Sequence, residues 1–287
     1  MFSPRPWSPR AVVRALLLAS VCGAPAPLAA QHTALELWKA NKAAFGIFVP
    51  SERPANATDV DGKRLPPLYT AAGAKALAEQ PLLDYLFLNL EAAYDANAVK
   101  EMVAGLKASN AKSKPTLLVR IPTIEAAGEA LTKARIKEIH DLGADGVVVP
   151  HVRSATEAQH AISFFKDAKA NVWSSTNPKG TFIAMLMVED PGAIAEMEAI
   201  AALPGYSLLS CGIGSLTQAM SGDRAGAETA CKKVRDAGAA KGMPSMMTAN
   251  ASTMSDRLTK GYLGLLLSGT VEQAAPVIQA GRAEAKR

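Results

Sequence analysis

The stretch Phe182-Ile-Ala-Met-Leu-Met-Val-Glu189 is apolar until its last residue, a carboxylate, and Asp190-Pro191 opens a helix-like segment directly after it. A run that is apolar at consecutive positions, without alternation, suits a strand buried on both faces, as in a parallel sheet. Glu189 then stands where the strand surfaces, at its carboxyl end. Ligands bind at that end in α/β barrels and open α/β sheets. One carboxylate decides little alone, but several other strand-like runs of this chain also finish on a polar group.

Working outward, similar runs fall at residues 45–49, 85–90, 116–121, 146–149, 208–212, 245–248 and 263–268. Segments with helical spacing and charge lie between and after them, at 72–79, 96–107, 129–142, 155–168, 192–202, 224–241, 254–261 and 271–285. Strand–helix alternation predicts a parallel sheet, and eight repeats in a chain of this size predict a closed (β/α)8 barrel, a TIM barrel of the α/β class. The alternative is an open doubly wound sheet. Gly212-Ile-Gly214 lacks the third glycine and the spacing of a dinucleotide-binding loop, so no Gly-rich phosphate loop supports that alternative.

The longest connection, residues 50–67, follows the first strand and should lie over the binding face, as a lid or binding loop or as a disordered surface insertion. Residues 173–180, rich in Ser, Asn and Pro, precede a strand and belong to the opposite face.

The strand ends assemble a candidate site. The second run ends Asn89-Leu-Glu91, the third Arg120-Ile-Pro122, the fourth Pro150-His151 and the fifth Val188-Glu189; the sixth leads into Gly212-Ile-Gly214-Ser215 and the seventh into Thr248-Ala-Asn250. Arg120 offers a fixed donor fork suited to a carboxylate ligand. Glu189 and Glu91 supply oxygens for a hard divalent cation, and His151 carries a proton near neutral pH. Together these groups suit binding or enolisation of a small oxo acid. The bland alternatives are a structural Arg120–Glu189 ion pair and a structural His151. His140 and His160 fall in helical segments and are expected on the surface. Asp141 ends a helix, where a carboxylate opposes the dipole, which suggests a contact with another subunit. The Met185/Met187 and Met246/Met247 pairs read as core filler.

The first thirty residues stand apart. Arg5, Arg10 and Arg14 precede the apolar run 15–21, and Ala29-Ala30 follow, the layout of a secretory signal peptide cleaved after Ala30. The apolar core is shorter than the roughly 20 residues a membrane span requires. Cys22 raises a lipoprotein reading, which the bulky Val21 before it disfavours. Residues 31–287 then form a single barrel domain, exported and periplasmic. Losing three arginines and no acids lowers the formal charge from +5 to about +2. No cluster of Lys/Arg with interleaved aromatics points to nucleic acid. Cys211 and Cys231 remain, one in a strand-like and one in a helix-like run; two buried free thiols are expected, although an oxidising compartment would permit a disulfide.

The chain resembles the HpcH/HpaI aldolase and citrate lyase beta family over roughly residues 36–285. The resemblance rests on Trp38-Lys-Ala-Asn-Lys42 with Gly46-Ile-Phe48, on residues 84–91, and on Val119-Arg-Ile-Pro122. It continues through Asp141-Leu-Gly-Ala-Asp-Gly-Val-Val-Val-Pro-His151, Asn177-Pro-Lys-Gly180 and Met187-Val-Glu189. It closes with residues 200–205 and Gly212-Ile-Gly-Ser-Leu216. It implies a (β/α)8 barrel whose last helix is exchanged between subunits, in a homo-oligomer such as a trimer or hexamer. It also implies a divalent metal, Mg or Mn, on which pyruvate or another oxo acid is bound while a carbon–carbon bond is made or broken through an enolate. On this resemblance Glu189 matches the metal-binding glutamate, Arg120 the oxo-acid-binding arginine, and Asp141 an acidic residue reaching a neighbouring subunit's site. Four positions depart: Ala92 stands where the base histidine is expected, Asn89 where an aspartate is, Met187 where a glutamine is, and Ser215 where the second metal carboxylate is.

Two readings therefore stand. In one the protein is an exported aldolase-like carbon–carbon lyase, of the aldehyde-lyase type, acting on a small oxo acid or hydroxy-oxo acid with altered chemistry. Arg120, His151, Glu91 and Asp141 would be its catalytic groups, Arg120, Asn89 and Ser215 would hold substrate, and Glu189 the metal. In the other it is a non-catalytic barrel that binds a small carboxylic acid or serves as a structural partner.

Overall fold

The computed structural model describes Met1 and residues 33–287; the signal-peptide reading of residues 1–30 falls almost wholly outside them. The eight apolar runs are eight strands: β1 (Ala44–Phe48), β2 (Tyr85–Asn89), β3 (Thr116–Arg120), β4 (Gly146–Val149), β5 (Ile183–Val188), β6 (Leu208–Cys211), β7 (Ser245–Thr248) and β8 (Gly264–Leu267). Every neighbouring pair is parallel, and β8 pairs with β1, so the sheet closes. This is the (β/α)8 barrel that the alternation predicts. The central residues of every strand are buried because both faces are covered, one by the barrel interior and the other by helices.

The helices are α1 (Ala34–Lys39), α2 (Ala71–Ala78), α3 (Ala96–Ala108), α4 (Ile124–Ala127), α5 (Glu129–Leu142), α6 (Ala155–Asp167), α7 (Pro191–Ala195), α8 (Met197–Ala202), α9 (Ile213–Ala219), α10 (Arg224–Ala239), α11 (Met254–Thr259) and α12 (Val271–Glu284). Their starts follow from capping: the side chains of Thr33, Thr70, Asp95, Ser154, Asp223 and Thr270 each accept a first-turn backbone N–H. Gly143, at φ +92, ends α5 in the left-handed conformation that glycine adopts at little cost. The segment read as one helix over 192–202 is divided at Glu196 into α7 and α8.

The last helix lies on its own barrel, where the family resemblance implies exchange with a neighbour. Asp84, fully buried at the entry to β2, accepts Arg282 Nη2 at 2.8 Å and Arg287 Nη1 at 2.7 Å, and the backbone N–H of Phe45 at 2.8 Å. A buried carboxylate needs such partners, and they fasten the C-terminal helix under the barrel floor.

Cys211 and Cys231 form a disulfide with a Cα–Cα distance of 5.4 Å, which corrects the expectation of two free thiols. Packing of α10 against β6 brings the two residues within disulfide range. The long connection after β1 is ordered: residues 58 and 64 form an antiparallel bridge around a turn held by the Asp59 side chain, which accepts from the backbone of Asp61 and Lys63. Glu52 clasps its base by accepting from Thr70 N and Oγ1. Among the described residues no helix is long and apolar enough to cross a membrane.

Candidate functional site

All eight strands run parallel, so their carboxyl ends share one rim, and the polar groups that end them converge there. Arg120 is the last residue of β3 and is 8% exposed; Glu189, the first residue past β5, is 2% exposed. Arg120 Nη2 donates to Glu91 Oε1 at 2.7 Å and to Glu189 Oε1 at 2.9 Å. His151 Nε2 lies 3.3 Å from the same Glu91 oxygen and 3.8 Å from the Glu189 oxygen. Four side chains from four strand ends thus share one pair of carboxylate oxygens.

Local structure sets each position. Asn89 and Arg120 are register partners across β2 and β3, and the Asn89 side chain accepts the backbone N–H of Glu91 at 3.3 Å, turning the chain so that Glu91 faces Arg120. His151 has φ +49, an uncommon conformation for a residue with a side chain, held as Val152 N donates to Met187 O on the neighbouring strand. Val188 pairs in register with Cys211, so Glu189 and Gly212 lie side by side across β5 and β6. A Cβ built on Gly212 would fall inside the Glu189 carboxylate. Glycine is therefore required at this position for space, not for an unusual φ.

The electrostatics follow from this crowding. Burial alone would raise the Glu91 carboxyl. The pairing with His151 and the charges of Arg120 and His151 outweigh it, and Glu91 lies below its usual range. His151 is held above its ordinary value, chiefly by its pairing with Glu91; burial opposes the rise, and the Glu189 and Glu91 charges add to it. Arg120 Nη1 donates to no described residue, while its Nε is buried without a partner.

The structure brings together Arg120, Glu91, Glu189 and His151, with Asn89 in register beside Arg120. Asp141 does not reach this rim within its own chain. It sits in the last turn of α5, at the end of the barrel where strands begin, exposed and paired with Lys137. The Lys137 hydrogen bond, the largest influence, holds its carboxyl below its ordinary value. Asn89 shapes a turn. Ser215 lies half-buried in α9, past Gly212, and presents a neutral hydroxyl. His140 is not a free surface residue, since its ring packs edge-on against Phe182 at 5.2 Å. His160 is exposed and pairs with Glu129. Gly212 is the functional position the sequence reading passed over. Its signal was the neighbour register, since a residue directly past β6 must stand beside the one directly past β5.

A resident divalent ion does not fit this donor set. The two facing carboxylate oxygens already hold Arg120 Nη2 between them, and the position matched to a second metal carboxylate carries Ser215. Among the described residues no group of three or more His, Cys, Asp or Glu is arranged to hold a metal ion.

The family model described as HpcH/HpaI aldolase/citrate lyase matches residues 68–264. No match was found among the curated proteins. Among solved structures, an HpcH/HpaI aldolase/citrate lyase family protein from Burkholderia cenocepacia is 19% identical with a TM-score of 0.64, over 88% of this chain and 98% of that one. An HpcH/HpaI aldolase from Desulfitobacterium hafniense is 21% identical with a TM-score of 0.62, over 88% and 95%. A citrate lyase beta subunit from M. tuberculosis, complexed with oxaloacetate and magnesium, is 16% identical with a TM-score of 0.53, over 85% and 98%. At these identities the structural likeness speaks for the fold.

Proposed function

The chain belongs to the HpcH/HpaI aldolase/citrate lyase family, and from that premise we propose that it is an exported carbon–carbon lyase whose Arg120 rim takes a small oxo acid or hydroxy-oxo acid. The observation that carries this reading is the division of labour on Arg120. Its Nη2 is fixed by Glu91 and Glu189, and among the described residues Nη1 has no acceptor. A guanidinium held in this way is pre-oriented for an anion, and little side-chain entropy remains to be lost on binding.

In this reading Nη1 receives the substrate carboxylate or the oxygen on which enolate charge develops. Cleavage of a hydroxy-oxo acid breaks the bond between the carbinol carbon and the carbon beside the oxo group. The hydroxyl proton passes to the Glu91–His151 pair, the bond's electrons become the enolate, and the same pair returns a proton to the enolate carbon. His151 suits that role because Glu91 orients its Nε2, which takes the hydroxyl proton in its neutral form and, with its pKa raised by Glu91, holds that proton until it is returned to the enolate carbon. Glu189 positions Arg120.

Export is supported by the basic–apolar–small pattern of residues 1–30 and by the Cys211–Cys231 disulfide, a bond that persists in oxidising compartments. The proposed homo-oligomer rests on the resemblance; in it Asp141, exposed at the opposite end of the barrel, would be offered to a neighbour. A second reading, a barrel that binds a small carboxylic acid without turning it over, is favoured by Ala92 and Ser215 standing where a base and a carboxylate are expected.

The two are separated by following loss of the pyruvate methyl proton signal in D2O by NMR, with and without Mg2+. Exchange in the native protein that disappears in His151→Gln and in Arg120→Met is the expected result. A folded native protein that exchanges nothing under any condition would refute the lyase and leave the binding barrel.

A further inference from the structure

We propose that Arg120 occupies the cation position between the two rim carboxylates, so that this protein binds its small oxo-acid anion without a divalent ion. The proposal rests on the functional reading above for the location of the anion site and goes beyond it in how that site is charged.

The geometry is that of a cation between two anionic ligands. One nitrogen, Nη2, is 2.7 Å from Glu91 Oε1 and 2.9 Å from Glu189 Oε1. A divalent ion using the same oxygens would stand about 2.0–2.6 Å from each, where it would collide with Nη2. The guanidinium cannot swing aside cheaply. It belongs to the last residue of β3, it is 8% exposed, and its Nε is enclosed without a partner among the described residues. Glu189 is equally confined, with 2% exposure and Gly212 pressed against its carboxylate. Moving Arg120 would strand a buried carboxylate, a costly state.

Two further observations agree. His151 Nε2, a second group able to carry positive charge, lies 3.8 Å from the Glu189 oxygen and 3.3 Å from the Glu91 oxygen, so another cation there meets repulsion from both sides. Ser215 supplies a neutral hydroxyl where a further carboxylate would be needed to raise affinity for a hard ion. The site therefore carries its positive charge on fixed side chains, and Arg120 Nη1 presents it to a planar α-oxo carboxylate or its enolate.

The test uses protein lacking residues 1–30, treated with EDTA, and oxalate as the probe, a planar dianion resembling the pyruvate enolate. Free Mn2+ is counted by electron paramagnetic resonance, and oxalate binding is followed by calorimetry with EDTA or with Mn2+. The expected result is no stoichiometric Mn2+ uptake at micromolar concentration, and oxalate affinity equal within twofold in both conditions. Glu189→Gln keeps an oxygen for Arg120 Nη2 but removes the charge that positions it, so oxalate affinity should fall by the same factor with EDTA and with Mn2+, whereas a metal held by Glu189 would make the loss appear only with Mn2+. Circular dichroism of that variant establishes that it is folded; if it is not, the native comparison still decides. Stoichiometric Mn2+, or oxalate bound only when Mn2+ is present, overturns the proposal and leaves the lyase reading standing. Absence of oxalate binding in every condition overturns both.

Discussion

Removing the Cys211–Cys231 bridge should cost this protein about 3 kcal/mol, and the figure can be worked from the fold. The bond closes a loop with a sequence separation of 20, and the chain-entropy relation for a loop of that size yields about 3 kcal/mol at room temperature. For a chain of this length each kcal/mol moves the unfolding midpoint by about 2–4 °C, so Cys211→Ala/Cys231→Ala should melt about 6–12 °C below the parent. Both residues are buried, Cys211 at 3% and Cys231 at 0% exposure, so alanine leaves little exposed surface to confuse the comparison. The assay is thermal unfolding of protein lacking residues 1–30, paired with a thiol titration under native and denaturing conditions. The native protein should release no thiols on denaturation without reductant, and two with it. Two thiols appearing without reductant, or a midpoint shift under about 2 °C, would refute the reasoning that this bond limits the unfolded chain.

Other expectations follow from the rim. Gly212→Ala places a methyl group in the Glu189 carboxylate; a loss of about 1–3 kcal/mol in urea unfolding, with weakened oxalate binding, is expected, and an unaltered protein would contradict the packing. Arg120→Met leaves the buried Glu189 with only the His151 imidazole, 3.8 Å away, as a cationic neighbour, so urea unfolding should show about 3 kcal/mol of destabilisation; under about 1 kcal/mol would mean the pair is not held in solution. The His151 imidazole should titrate above 6.5 by NMR and fall back toward it in Glu91→Gln. Because its folded value is raised, its stabilising contribution is full below about pH 6.5 and is lost as the pH climbs through the raised value. A native His151 that titrates at or below 6.5 would contradict the pairing.

Much of the fold was legible because its signals are local. A strand covered on both faces must be apolar at consecutive positions, as residues 182–188 are, and all eight such runs became strands within a residue or two. The rim residues were legible for a related reason: a polar group directly after such a run has to emerge at the strand's carboxyl end. Arg120, Glu189, Glu91 and His151 were found in this way. Short helices were less legible. The turn α9 begins among Gly212 and Gly214, residues that read as loop, and only its Ile213 and Leu216 packing inward makes it helical. The last turn of α5, just before β4, puts Asp141 at the far end of its own barrel, a placement that follows from its position in the βα order.

The sequence by itself determined the repeating βα order, hence a parallel barrel, and the set of charged groups delivered to one rim. Backbone hydrogen bonding and burial act over a few residues, so their imprint is written in consecutive letters. The tertiary structure alone decided that one guanidinium nitrogen would be shared by two carboxylates, that Gly212 would make room for Glu189, that Arg282 and Arg287 would fasten onto Asp84, and that Cys211 would meet Cys231. Each of these contacts joins residues from different βα units, or from a strand and the helix packed on it. Their separation depends on barrel closure and side-chain packing, which no short stretch of chain encodes.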